Sequence, residues 1–125
     1  MKKHDEILKG LSNQLKEIFD SSGQAMYIYL DDEHKVCNKK FASMLDYKST
    51  AEWASVKGNF PTAFVKEKSQ ATLIRAYQAA MENGVGSSID VDWKKKSGGS
   101  AKTKVILVPI SYEGHRMALH FISEV

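Results

Sequence analysis

Four histidines, one cysteine and the Asp90–Asp92 pair are the residues of this chain that could do chemistry. Imidazoles can hold a metal or move a proton near neutral pH, provided that the fold gathers them. His4 falls in a helical segment and His34 in a polar turn. His115 and His120 share the last strand, where a spacing of five puts them on opposite faces. No HxH or HxxxH pair occurs, so spacing alone predicts surface or hydrogen-bonded histidines and no metal site. Cys37 lies in a strand between Val36 and Asn38, the pattern of a buried, unreactive thiol. Asp90 and Asp92 stand two apart on one strand face, opposite Ile89, Val91 and Trp93, and so should meet solvent or lysines. Gly84–Ser88 (GVGSS) has neither the lysine nor the preceding strand of a phosphate loop. A serine nucleophile would need a strained elbow, which is absent. Lys94–Lys96 is a basic run without interleaved aromatics apart from Trp93, as expected of a solvated hairpin tip rather than a nucleic-acid surface.

The elements that must position these residues follow from periodicity. Asp5 to Phe19 repeats Ile7, Leu8, Leu11, Leu15, Ile18 and Phe19 at spacings of three and four, an amphipathic helix. Leu8, Leu11, Leu15 and Ile18 form a coiled-coil-like seam of two heptads. That is too short to be stable alone, so the same helix must lean on the sheet. Ala25–Leu30 and Lys35–Asn38 are strands joined by the turn Asp31–His34. Helical patterns follow over Lys39–Tyr47 and Ser49–Ser55, with Ser49 or Thr50 as cap. Gly58–Phe64 reads as an irregular connector, because Pro61 disfavours helix at Phe60. Val65–Asn83 is the longest helical stretch and ends at Asn83-Gly84. The final third switches to strand period at Ser88–Trp93, Lys102–Tyr112 and His115–Val125. In the last of these, Met117, Leu119 and Phe121 alternate with Ala118, His120 and Ile122.

Neither hairpin can bury its apolar face alone. The expected fold is therefore α+β: a single five-stranded antiparallel sheet with helices on one face and an extra N-terminal amphipathic helix. Residues 1–20 form the flanking, dimerising segment and 21–125 the domain proper.

This order of elements resembles the PAS domain family of sensory modules over about residues 15–125. KVCNKKFASMLDY (Lys35–Tyr47) is similar to the family's second strand and following helix. Asn38, Lys39, Phe41, Leu45 and Tyr47 match, and Asp46 stands where the family has glycine. KKKSGGS resembles the family's Lys-Asp-Gly hairpin, with Ser97-Gly98 in place of Asp-Gly. VPISYEG (Val108–Gly114) resembles its Ser-Pro-hydrophobic segment and glycine turn, and Ser123-Glu124-Val125 stands where Asp-Ile-Thr is common. The resemblance implies a sensory or protein-interaction module, homodimeric, without catalysis of its own and coupled to a signalling effector protein or domain. It also implies a space between helices and sheet that is either plain core or a pocket for a small apolar ligand. The residues expected there are Phe41, Leu45, Phe60, Phe64, Leu73, Ala76, Tyr77, Ala80, Ile89, Val91, Leu107, Leu119 and Phe121, with Tyr77 as the polar contact.

The flavin-photoreceptor Asn-Cys-Arg-Phe-Leu motif is absent. The long helix, which presents the ligand in haem-binding PAS domains, carries no His or Cys, and its Met81 reads as packing. The resemblance therefore implies neither flavin nor haem. A small cone-shaped α+β isomerase or dehydratase is the competing reading, and would require a carboxyl of raised pKa deep in the cavity.

Composition agrees with one globular domain: 125 residues, 42% hydrophobic and 26% charged. A net charge of +3 is too mild to argue for nucleic acid. No apolar run approaches the roughly 20 residues that span a bilayer, and the first ten residues carry no secretory signal. A single cysteine fits a reducing, cytoplasmic setting.

Overall fold

Five of the seven residues of the first strand are fully buried, four of them consecutive, so both faces of that strand are covered. The computed structural model, which describes residues 3–125, shows what covers them. The first two positions of the 1–20 segment lie outside the described residues. Helix α1 (His4–Ser21) is followed by β1 (Ala25–Asp31) and β2 (His34–Cys37). Helices α2 (Lys39–Met44), α3 (Thr50–Ala54), α4 (Phe60–Phe64) and α5 (Glu67–Asn83) come next, then β3 (Ser87–Lys94), β4 (Ser100–Tyr112) and β5 (His115–Glu124). The strands form one antiparallel sheet in the order β2-β1-β5-β4-β3. Chain-distant β1 and β5 pair at its middle, and α2–α5 cover one face. Helix α1 covers part of the other, so the expected architecture holds.

The two faces carry separate cores. Tyr27, Phe41, Trp53, Phe60, Phe64 and Trp93 lead the larger one, under the helices. Ile7, Leu11 and Phe19 of α1 meet Met26, Ile28, Leu30 and Met117 in the smaller one. Gly10 lets α1 approach closely, because a Cβ there would stand 2.7 Å from Tyr112 Oη.

Local signals explain the short helices. Asn38 Oδ1 accepts from Phe41 N and from Met26 N, both at 3.1 Å, while its Nδ2 donates to Gln24 O at 2.8 Å. One buried side chain thus caps α2 and ties it to β1. Ser49 caps α3 by accepting from Glu52 N at 3.0 Å. The expected irregular connector is instead helix α4. Asn59 caps it through Thr62 N, and Pro61 sits in its first turn, where the missing N–H has no intrahelical partner to lose. Asp46 has φ +65°. That left-handed backbone is one that glycine adopts at no steric cost. The Asp46 carboxylate accepts from Ser97 Oγ, which anchors the β3–β4 hairpin tip.

Candidate functional site

The register of β1 against β5 sets the site. Tyr27 pairs with His120 and Ile28 with Leu119. Tyr27 and His120 therefore point to the helix side, and their rings stack at 3.9 Å with an interplanar angle of 10°. Tyr27 also stacks on Phe41 and Phe60, at 5.0 and 5.4 Å. Beside this stack lies a cavity of about 50 Å³, lined by Tyr27, Tyr29, Phe60, Pro61, Leu73, Ile74, Tyr77 and His120. Helix α5 supplies Leu73, Ile74 and Tyr77, with Ile74 at the exposed end.

The wall is apolar apart from the hydroxyls of Tyr27, Tyr29 and Tyr77 and the His120 imidazole. Tyr27 Oη is buried and has no hydrogen-bond partner among the described residues. Burial drives its pKa well above the usual phenol range. Tyr29 Oη donates to Asp32 Oδ1 at 2.6 Å, so its proton is already engaged. Burial pushes the His120 imidazole down to about 3. It is therefore neutral at physiological pH, with Nδ1 at 3.2 Å from Ala118 O. No carboxylate lines this cavity, so the feature demanded by the cone-fold enzyme reading is missing from it.

Of the thirteen residues expected at a pocket, Phe60, Leu73 and Tyr77 line this cavity. Phe41, Leu45, Phe64, Val91 and Leu107 are packed into the larger core, and Ile89 is half-buried at its edge. Ala76 and Ala80 are also buried, and their small side chains let α5 settle onto the sheet. Leu119 and Phe121 must be corrected. They lie on the opposite face and pack beside the α1 core with Met117. Their alternates Ala118, His120 and Ile122 face the helices, where a row of large apolar side chains was expected. Tyr27, Tyr29, Pro61, Ile74 and His120 were missed. An aromatic β1 opposite a histidine of β5 was the available signal, but it requires the register.

The proposed seam of α1 is divided. Leu11 is buried against the chain's own sheet, Leu8 and Leu15 are half-buried there, and Ile18 is 53% exposed. Cys37 is buried, and burial pushes its thiol up to about 12, as befits an unreactive cysteine. Asp92 pairs with Lys68 at 2.8 Å and Asp90 lies 3.7 Å from Lys104, as expected of an outward strand face. Within the basic run, Lys96 pairs with Glu52 at 3.0 Å. Spacing did not anticipate what happens to three histidines. His4, His34 and His115 come together at one end of the sheet around Asp31. No helix among the described residues is long and apolar enough to cross a membrane.

No protein-family model matches the chain, and no curated protein is significantly similar to it. Solved structures are similar in fold. A PAS domain from a two-component sensor histidine kinase superposes with a TM-score of 0.68 at 12% identity, covering 94% of this chain and 99% of that one. The PAS domain of the fruit-fly ELK potassium channel gives 0.66 at 18% identity, covering 90% and 95%. A Rhodobacter sphaeroides LOV protein gives 0.71 at 16% identity, covering 94% and 68%. The chain has the PAS fold.

Proposed function

We propose that this chain is a sensory or protein-interaction module that binds a small, mostly apolar ligand in the Tyr27–His120 cavity and passes the signal through α1. The carrying observation is the orphaned Tyr27 hydroxyl in the wall of a mostly apolar cavity. A buried donor without a partner costs on the order of 1–3 kcal/mol, which a ligand offering one acceptor would recover. An engineered cavity of about 150 Å³ holds benzene. A cavity of about 50 Å³ is therefore too small for a haem or flavin ring and calls for a ligand of few heavy atoms, or for outward movement of Ile74 and Tyr77. The wall carries no acid, and its histidine is neutral and stacked, which supports binding rather than catalysis. Residues 21–125 are the sensing body and 1–20 the output element. The sensor-kinase and channel sources of similar folds support a signalling effector as partner. A homodimer would form through the exposed side of α1 around Ile18, and the setting is cytoplasmic.

Native mass spectrometry of the purified chain tests the reading in one measurement. The expected result is a dimer that carries a small molecule or takes one up from an apolar fragment mixture, with no coloured cofactor. A monomer with no uptake, at tens of micromolar protein, would refute both the dimer and the pocket.

A further inference from the structure

We infer that His4, Asp31 and His34 form a binding site for a divalent transition metal that latches the start of α1 to the β1–β2 hairpin. The three residues belong to three different segments: the first residue of α1, the last of β1 and the first of β2. His4 Nδ1 lies 2.7 Å from Asp31 Oδ2, and His34 Nδ1 lies 2.7 Å from Asp31 Oδ1. One ligand atom from each residue falls within 4.8 Å of the others. Ligands around a tetrahedral zinc ion at about 2.0–2.1 Å stand roughly 3.3 Å apart, so modest ring rotations would close the set. Two imidazoles and one carboxylate are a borderline donor set. It suits zinc, nickel, cobalt or copper and discriminates against magnesium and calcium, which prefer oxygen.

Two further features favour the site. Glu33 N donates to Asp31 Oδ1 at 3.0 Å, so the turn orients the carboxylate before any ion arrives. The side chains of all three residues retain 29–47% of their accessibility, which leaves an entry path and an open coordination position. The His115 ring stands at the rim, 5.8 Å from that of His4 and edge-on, with its Nδ1 3.1 Å from Glu113 O.

The test is titration calorimetry on the full chain without a histidine tag, using zinc, nickel, cobalt and magnesium chlorides. One equivalent of zinc, nickel and cobalt is expected to bind, and no magnesium. His4→Ala, His34→Ala and Asp31→Asn should each weaken zinc binding by at least about tenfold, whereas His115→Ala should change it by less than about threefold. His4→Ala and His34→Ala alter accessible side chains, and their thermal melts verify that they stay folded if Asp31→Asn does not. Zinc should also slow amide exchange at the start of α1 in the parent chain but not in His34→Ala, although His34 is outside that helix. Absence of zinc binding, or binding unchanged in the His4→Ala, His34→Ala double variant, would reduce the cluster to ordinary imidazole–carboxylate hydrogen bonds. Binding that leaves α1 exchange unaltered would overturn the latch.

Discussion

His120 makes the stability of this domain depend on acid in a calculable way. The imidazole is buried against Tyr27, and burial lowers its pKa from 6.5 to about 3. The unfolded chain therefore takes up this proton first as pH falls, and the folded state is disfavoured by that difference. Stability from this group is complete above the unfolded value and is lost progressively down to about pH 3. The slope is at most about 1.36 kcal/mol per pH unit. Integrated from about pH 7.5 to about pH 5, the loss is about 2 kcal/mol, before most carboxylates begin to titrate in the unfolded chain. That is a large share of the roughly 5–15 kcal/mol that holds a domain together. Urea melts of the parent chain and of His120→Phe across this range read the difference directly, since phenylalanine preserves the stack on Tyr27 but carries no proton. The parent's midpoint should fall with pH while the variant's stays nearly flat, whatever their offset at neutral pH. Parallel curves would mean that His120 accepts its proton in the folded state, and the reading of a dry, neutral imidazole would be wrong.

Three further substitutions probe the same core. Tyr27→Phe should stabilise the ligand-free protein by about 1 kcal/mol, because it deletes a buried hydroxyl without a partner. A lower melting temperature would reveal a partner for that hydroxyl. Ala76→Leu should destabilise by about 1–3 kcal/mol through overpacking where α5 meets the larger core. An unchanged melt would instead place usable space under that helix. Asn38→Ala should cost about 2 kcal/mol or more, since it removes the α2 cap and leaves Met26 N and Gln24 O unpaired. Asn38→Asp keeps the two acceptances but sets a buried carboxylate oxygen against Gln24 O, and should cost at least as much in the same melts.

What could be read from the sequence was whatever is encoded locally. Helical periodicity marked α1 and α5, and strand alternation marked β3. The cap signal at Ser49 or Thr50 and the glycines that close turns marked boundaries. Helix α4 departs from the sequence pattern: Pro61 disfavours helix at Phe60, but Asn59 two residues earlier makes its position a helix start. The site was poorly legible because register, not periodicity, assembles it. His4, Asp31 and His34 are brought together by packing of α1 on the hairpin, which a search for short histidine spacings cannot detect.

The error at β5 has a physical cause that bears on the site itself. In a sheet covered on one face, the larger apolar set points to the core, and Met117, Leu119 and Phe121 would then belong under the helices. Here both faces are covered, so that set serves the α1 side, where a single helix must be met by large side chains. The helix side receives Ala118, His120 and Ile122, a row with less apolar volume at its centre. Aromatic rings from β1, α2, α3, α4 and β3 supply most of what is lacking, with Tyr27 stacked on His120. A cavity of about 50 Å³ remains beside that stack, bounded by α5. The residues that defeat a simple alternation rule on β5 are thus those that leave space in this core and put a polar ring in its wall. The buried imidazole carries an acid-dependent cost that an apolar side chain at position 120 would not.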